Sequence, residues 1–277
     1  MLVNTSNNPI TAPNICLERT SKRMSDFIDA ADTLNNIKGN NNLLQAIRVF
    51  DNIMEINGVY PYVQAFFPMV GGTAMSHKFN FMNPATYEIT WTAAYNHSLS
   101  GVKHDGTANS IATSSFTFGD LTYNDSHLLF GELEALVSTG ICVGFQRLSG
   151  GTSPMVDRFL IHSRYTSDIH YSDHYSGTTN RMSYLNDAPL GVYLTQRSSS
   201  SYAETRKNGI IRATASNLSS GALLSTDKLK FANINSDPSS PYKGMFSAVG
   251  VGLSMPNSQA VAYSQAVDML LRICGKK

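Results

Sequence analysis

The chain has 277 residues, 21 basic and 20 acidic, a formal net charge of +1 and only 15% charged residues, where a globular protein carries about 25%. Ser, Thr and Asn supply 77 residues, while hydrophobics at 42% suffice for a core, so wholesale disorder is excluded. A chain this neutral offers no general electrostatic attraction for nucleic acid or anionic lipid, which excludes both as main partners.

No stretch approaches the roughly 20 apolar residues needed to span a bilayer, so no membrane insertion is expected. Met1 to Pro13 is rich in Asn and Thr and lacks the basic start and apolar middle of a signal peptide, so synthesis in a reducing cytosol is expected. Cys16, Cys142 and Cys274 are odd in number and far apart, which implies neither a disulfide framework nor a cysteine metal site.

Two helices are predicted between residues 20 and 57. Met24, Phe27, Ile28, Ala31, Leu34 and Ile37 recur at helical spacing until Gly39, and Leu43, Leu44, Ile47, Phe50, Ile53 and Met54 repeat the pattern up to a stop at Asn57-Gly58. From about 70 to 253 the texture becomes that of a sandwich or barrel, with short β-branched and aromatic runs between clusters of Gly, Ser, Asn, Asp and Pro. The runs are Tyr87 to Ala93, His127 to Leu133, Ile141 to Leu148, Met155 to His162, Leu190 to Gln196 and Lys243 to Gly252. The clearest element is a hairpin, Tyr202 to Lys207 and Ile210 to Ala215, around Asn208-Gly209, a dipeptide suited to a type I′ turn. Ala260, Tyr263, Val267, Leu270 and Cys274 line one face of a closing helix, with Ser254 or Ser258 as its cap. The plan is a polar leader and helical segment over residues 1–66, then a β-sandwich with a closing C-terminal helix over 67–277.

Three passages carry a resemblance. They are Pro68-Met69-Val70-Gly71-Gly72-Thr73-Ala74-Met75-Ser76-His77-Lys78-Phe79-Asn80 with Pro84, then Ser100-Gly101-Val102-Lys103-His104-Asp105-Gly106 with Ala112-Thr113, and the Lys207-Asn208-Gly209 hairpin together with Ala248 to Ser254. This order resembles bacteriophage virion proteins carrying a concanavalin A-like, laminin G-like jelly roll, found also in prophages, over roughly residues 40 to 275. The resemblance implies a mainly β, antiparallel jelly-roll sandwich with N-terminal helices and a C-terminal helix. It further implies a structural, non-enzymatic component of a tailed-phage virion, placed in the tail, baseplate or fibre. The alternative placement is capsid decoration or a head fibre. Its partners would be other virion proteins, copies of itself and a host-surface glycan, with no cofactor. On this reading the two N-terminal helices, with their apolar stripes, serve as the device that attaches the protein to a neighbour.

The residues themselves read more plainly. Gly71-Gly72 predicts a chain reversal before the first strand, His77 to Asn80 a loop or the start of a strand, and His104-Asp105-Gly106 a turn. Gly250 and Gly252 let the last strand lie close beneath the closing helix.

Glucanases of the jelly-roll class, the remaining alternative, carry acids at alternating strand positions. Glu132-Leu133-Glu134 has that period, but the further acid of the pattern is missing, and the pair reads as a solvated strand edge. His162, Asp168, His170, Asp173 and His174 form the densest group of metal-ligating residues. In a strand, His170 and His174 lie about 13 Å apart, too far for one ion, so no metal site is assigned. The candidates for glycan or partner contact are Tyr165, Tyr171, Tyr175 and Tyr184, tyrosine being favoured at binding surfaces. Trp91 falls on the Tyr87, Ile89, Ala93 face of its strand and reads as core. No Gly-x-Ser-x-Gly elbow and no phosphate-binding loop is present.

Overall fold

A computed structural model describes residues 20–106, 111–134, 141–147, 157–175, 181–188, 190–216, 218, 223–232 and 242–273. The helices are α1 (Lys22–Ala31), α2 (Asn41–Ile56), the short α3 (Ala74–His77) and α4 (Asn257–Ile273). The strands are β1 (Val63–Phe67), β2 (Ile89–Thr90), β3 (Tyr95–Ser98), β4 (Gly101–His104), β5 (Ala112–Thr117), β6 (Ser126–Glu134), β7 (Val143–Arg147) and β8 (Asp157–Tyr165). They continue with β9 (Ile169–His174), β10 (Met182–Leu185), β11 (Gly191–Ser199), β12 (Tyr202–Lys207), β13 (Ile210–Ala215), β14 (Lys228–Phe231) and β15 (Met245–Gly252).

All described strand pairs are antiparallel, and they make two sheets facing each other as a jelly-roll-type sandwich. The first runs β13-β12-β11-β6-β15-β4-β3, with β1 also paired to β15, and the second runs β10-β9-β8-β7-β14-β5-β2. Alternation along the central strands of the first sheet separates two cores. Leu128, Phe130, Val249 and Val251 point between the sheets, where they meet Phe67, Phe116, Phe145, Phe159 and Phe231. Leu129, Leu194, Phe66 and Ala248 point to the opposite side, against α1, α2 and α4.

That second core corrects the expected use of the N-terminal helices. Met24, Phe27, Ile28 and Ala31 of α1 and Leu43, Ile47, Phe50 and Met54 of α2 are buried against the chain's own sheet. Phe50 stacks on Phe66 at 4.7 Å. The stripes are consumed internally, because the outer face of the first sheet is itself apolar and must be covered.

Local chemistry sets the element ends. Ser21 caps α1 by accepting from the Met24 N–H, and Asn40 caps α2 by accepting from Leu43. The first helix stops six residues short of Ile37, because the Asp32 carboxylate accepts from the backbone N–H groups of Ile37 (2.7 Å) and Lys38 (2.8 Å) and holds a turn. Ile37 still reaches the core, while Leu34 is left exposed. The stop at Asn57-Gly58 is observed, with Gly58 at φ +62°.

The 202–215 hairpin forms over the expected residues, with Asn208 at φ +51° and Gly209 at φ +82°. Gly71 and Gly72 do take positive φ, but they follow β1 and lead into α3 rather than preceding the first strand as expected. The strand expected over Tyr87 to Ala93 shrinks to Ile89–Thr90, since Tyr87 adopts φ +59° and breaks the extended run. Gly250 does lie beneath α4, whereas Gly252 is crowded by the backbone of Tyr62 and Gln64 beside β1. Neither serine caps α4 as expected: Ser254 binds the Asp125 carboxylate, and Ser258 donates to Gln259.

Candidate functional site

A cleft of about 540 Å³ opens on the outer face of the first sheet, where β11 and β12 meet the start of α4. Its polar floor comes from alternate residues. Gln196 on β11 and Glu204 and Arg206 on β12 all point toward α4 and are buried. Glu204 Oε1 accepts from Gln196 Nε2 at 2.7 Å and from Arg206 Nε at 2.6 Å, and Oε2 accepts from the Tyr202 hydroxyl at 2.8 Å. Gln196 is pinned in turn to the chain before α4, donating to the Met255 carbonyl at 3.1 Å and accepting from the Met255 N–H at 3.0 Å. Arg206 Nη1 donates to the Gly209 carbonyl, which ties the floor to the hairpin turn.

The rim differs in character. Tyr202 is 39% exposed and Ile211 43%, an aromatic face and an aliphatic one beside the charged floor. The arrangement is an open cleft with an ordered, internally bonded polar floor and two exposed side chains, Tyr202 and Ile211, at its rim. None of these residues stood among the sequence candidates. The available signal was the period-2 series Tyr202, Glu204, Arg206 beside a reliable turn, which places one aromatic and two charges on one strand face.

The four candidate tyrosines separate. Tyr165 and Tyr171 come together on the outer face of the second sheet, 5.5 Å apart and edge to face, both half-buried. The Arg181 guanidinium lies over the Tyr171 ring at 4.5 Å and is held by a two-pronged bond to buried Asp173, both contacts at 2.7 Å. Tyr184 points the other way and stacks on His170 at 4.6 Å. Tyr175, expected at the surface, is fully buried between the sheets, where its hydroxyl shares a 2.5 Å hydrogen bond with Ser126. The reason is local: Tyr175, at φ +61°, ends the β9 strand, and its ring turns into the packing of Phe118 and Phe159. Trp91 packs half-buried against Tyr95, His97 and Phe231, with its indole N–H unpaired.

The metal-ligating residues are divided as well. His170 and His174 face between the sheets, whereas His162 and Asp173 lie on the other side of the same sheet. Burial lowers the pKa of His170 and of His174 to about 3, keeping both imidazoles neutral. Among the described residues no three His, Cys, Asp or Glu side chains converge as a metal site.

Glu132 and Glu134 differ from the expected solvated pair. Glu132 shares the inward face of β6 with Leu128 and Phe130 and is fully buried, because the first sheet continues on both sides of β6 and the second sheet covers it. Burial raises its carboxyl to about 7. Glu134 is half-exposed and pairs with Lys103 at 2.7 Å. The two carboxylates therefore do not flank a common cleft.

No protein-family model matches the chain, and no curated protein sequence matches it. Among solved structures it is similar to the Trypanosoma rangeli sialidase in complex with 2,3-difluorosialic acid, at 10% identity over 81% of this chain and 38% of the sialidase, with a TM-score of 0.49. Domain 4 of the extracellular arabinanase AbnA from Geobacillus stearothermophilus is similar at 12% identity, over 74% of this chain and 98% of that domain, with a TM-score of 0.46. The binding domain of botulinum neurotoxin serotype G is similar at 9% identity over 72% of this chain and 50% of that domain, with a TM-score of 0.49. The chain thus spans less than two fifths of the sialidase's length. With TM-scores under 0.5, these similarities assign neither a family nor a ligand.

Proposed function

We propose that this chain is a non-catalytic recognition and assembly module of a tailed-phage particle, and that the cleft at the start of α4 takes a host-surface sugar. The observation that carries the binding half is the cleft itself. An exposed Tyr202 ring stands over a floor of Gln196, Glu204 and Arg206 whose side chains are fixed before any ligand arrives. Sugar C–H faces pack on the ring, hydroxyls bond to exposed polar groups of the lining such as Ser198 and Asn257, and the ordered floor holds the cleft in shape. The non-catalytic part is supported by the separation of Glu132, buried between the sheets, from Glu134 at the surface, since glycoside hydrolysis needs two carboxylates flanking one bond. Placement in a particle is supported by the resemblance of the 68–80 and 100–106 passages, and of 207–209 together with 248–254, to virion jelly rolls. Tyr165, Tyr171 and Arg181 form the second contact surface in this reading, offered to a neighbouring virion protein.

Calorimetric titration with oligosaccharides from the host surface tests the cleft. Tyr202→Ala is expected to weaken binding about tenfold, the ~1.4 kcal/mol of one stacked aromatic contact, while Tyr171→Ala leaves it unchanged. Equal affinity of Tyr202→Ala and the parent protein, or no sugar bound by either, overturns the assignment. Cryo-electron microscopy of the particle tests the assembly half. Density at the tail, baseplate or fibre supports a host-facing role, and density on the capsid lattice replaces it with decoration.

A further inference from the structure

A second polar group lies between the sheets, on the side of β6 and β11 away from the cleft. Lys207, Asn186, Glu132, Tyr193 and Ser163 converge there, each at most 7% exposed. Lys207 Nζ donates to Asn186 Oδ1 at 2.6 Å and to the Ala188 carbonyl. A C=O bond is about 1.2 Å long, so Nζ stands within about 3.8 Å of Asn186 Cγ, close to the spacing of reacting atoms poised for attack. Asn186 Nδ2 donates to the Tyr193 hydroxyl at 2.8 Å and to the Ser163 carbonyl at 2.6 Å. Tyr193 and Glu132 lie within electrostatic reach of each other, burial and then the carboxylate raising the Tyr193 pKa. Glu132 Oε1 accepts from Ser163 Oγ at 2.6 Å and from the Tyr242 hydroxyl, and its Oε2 has no hydrogen-bond partner. An amine hydrogen-bonded to a carboxamide is thus buried beside a carboxylic acid, with Ser163 and Tyr193 between them.

We propose that Lys207 and Asn186 form an intramolecular isopeptide bond once the sandwich has closed, with Glu132 moving the protons through Tyr193. The neutral Lys207 amine attacks Asn186 Cγ, forming the new C–N bond as the carbonyl electrons move to Oδ1. Collapse of the tetrahedral adduct breaks the Cγ–Nδ2 bond. The proton given up by Lys207 reaches Nδ2 through Glu132 and Tyr193, so the leaving group departs as ammonia. The sum is amine plus carboxamide giving substituted amide plus ammonia, with no oxidant and no cofactor. Glu132 suits the shuttle because burial holds its carboxyl near 7, where both of its protonation states are populated at neutral pH. An exposed lysine and asparagine do not react, whereas here the fixed geometry and the exclusion of water supply what the reaction lacks in solution. The product ties β12 of the first sheet to the connection that leads from β10, the edge strand of the second sheet, into β11 of the first.

The inference is independent of the sugar cleft and is tested on the full-length purified protein. Intact mass spectrometry is expected to read about 17 Da below the sequence mass, one ammonia lost. Cyclisation of Asn186 onto the nitrogen of Asp187 would remove the same mass, so the deciding readout is the tryptic map. It is expected to contain a branched peptide joining Met182–Arg197 to Lys207–Arg212, with cleavage after Lys207 blocked. In Glu132→Gln, folded by circular dichroism, the branched peptide is expected to be lost and both linear peptides recovered. Linear peptides alone from the parent protein overturn the bond whatever the variant does. A branched peptide that persists in Glu132→Gln overturns the proton-shuttling role.

Discussion

His174 should make this protein sensitive to acid by an amount the structure specifies. The ring lies fully buried between the sheets, 4.8 Å from the Phe159 ring. The Thr195 hydroxyl donates its proton to the Glu204 carbonyl at 3.2 Å, so it accepts from His174 Nε2 at 2.6 Å. Nδ1 then carries a bare lone pair with no hydrogen-bond partner. Protonation would create a buried N–H⁺ with nothing to receive it, near the Arg197 guanidinium, and burial together with that charge lowers the pKa from 6.5 to about 3. The unfolded chain therefore takes up a proton below pH 6.5 that the folded chain refuses. Stability is fully present above 6.5 and falls with pH at about 1.4 kcal/mol per pH unit, down to about pH 3. At pH 5 the loss from this single group is about 2 kcal/mol. Replacing it by His174→Gln keeps a donor toward Thr195 and removes the titration. Urea unfolding followed by circular dichroism at pH 7.5 and pH 5 measures the difference. The parent protein should lose about 2 kcal/mol more than the variant between the two pH values, whatever their offset at pH 7.5. Parallel losses would refute the claim that this imidazole stays neutral in the fold.

Two packing predictions follow from the first sheet's outer face. A methyl group on Gly250 would stand 2.0 Å from the Tyr263 hydroxyl oxygen of α4, so Gly250→Ala should lower stability by roughly 2 kcal/mol in chemical unfolding. That hydroxyl is buried without a partner, so Tyr263→Phe alone should leave stability equal or raised, and the double variant should recover part of the Gly250→Ala loss. At the hairpin, Asn208 holds φ +51° and its Oδ1 accepts from the Val192 N–H at 2.9 Å. Asn208→Ala should therefore cost roughly 1–2 kcal/mol in the same assay.

The parts of the fold legible in the sequence were those where one local rule acted alone. Asn208-Gly209 sets a turn through its own φ preference, and the two strands beside it follow with their ends correctly placed. The stripes of α1 and α2 were legible because the opposite faces of those helices are polar. Their partner was not, since the sequence does not say that the outer face of a sheet is apolar as well. The 157–185 stretch was hard for a related reason. A strand shows its period when one face is apolar and the other polar, but in β9 the inward residues are His170, Ser172 and His174. With polar residues on both faces the period-2 signal vanishes, so Tyr175 passed for a surface residue. Glu132 was misread because the pattern of a single strand does not reveal that sheets surround it. Tyr202, Glu204 and Arg206 do alternate, yet their meaning depends on the start of α4, more than 50 residues away.

The low charge content with which the sequence opens acquires a different meaning once the charges are located. Among the described residues Asp51, Glu132, Arg158, Asp173, Arg197, Glu204, Arg206 and Lys207 are all buried, so part of a small supply of ionisable side chains is placed inside the fold rather than on its surface. Burying a charge costs several kcal/mol, which a partner repays only when geometry is fixed, and apolar residues of the same size would stabilise the fold equally or better. A chain so sparing of charges therefore gains little stability by burying eight of them, six within β6, β9, β11 and β12. What they gain is fixed placement. Glu204 and Arg206 hold a preset floor under the exposed Tyr202 ring, and Lys207 stands against Asn186 beside an acid whose pKa lies near neutrality. The two groups lie on opposite faces of the same strand, with Glu204 and Arg206 outward and Thr205 and Lys207 inward, so β12 carries both the proposed recognition surface and the proposed bond that would lock it in place.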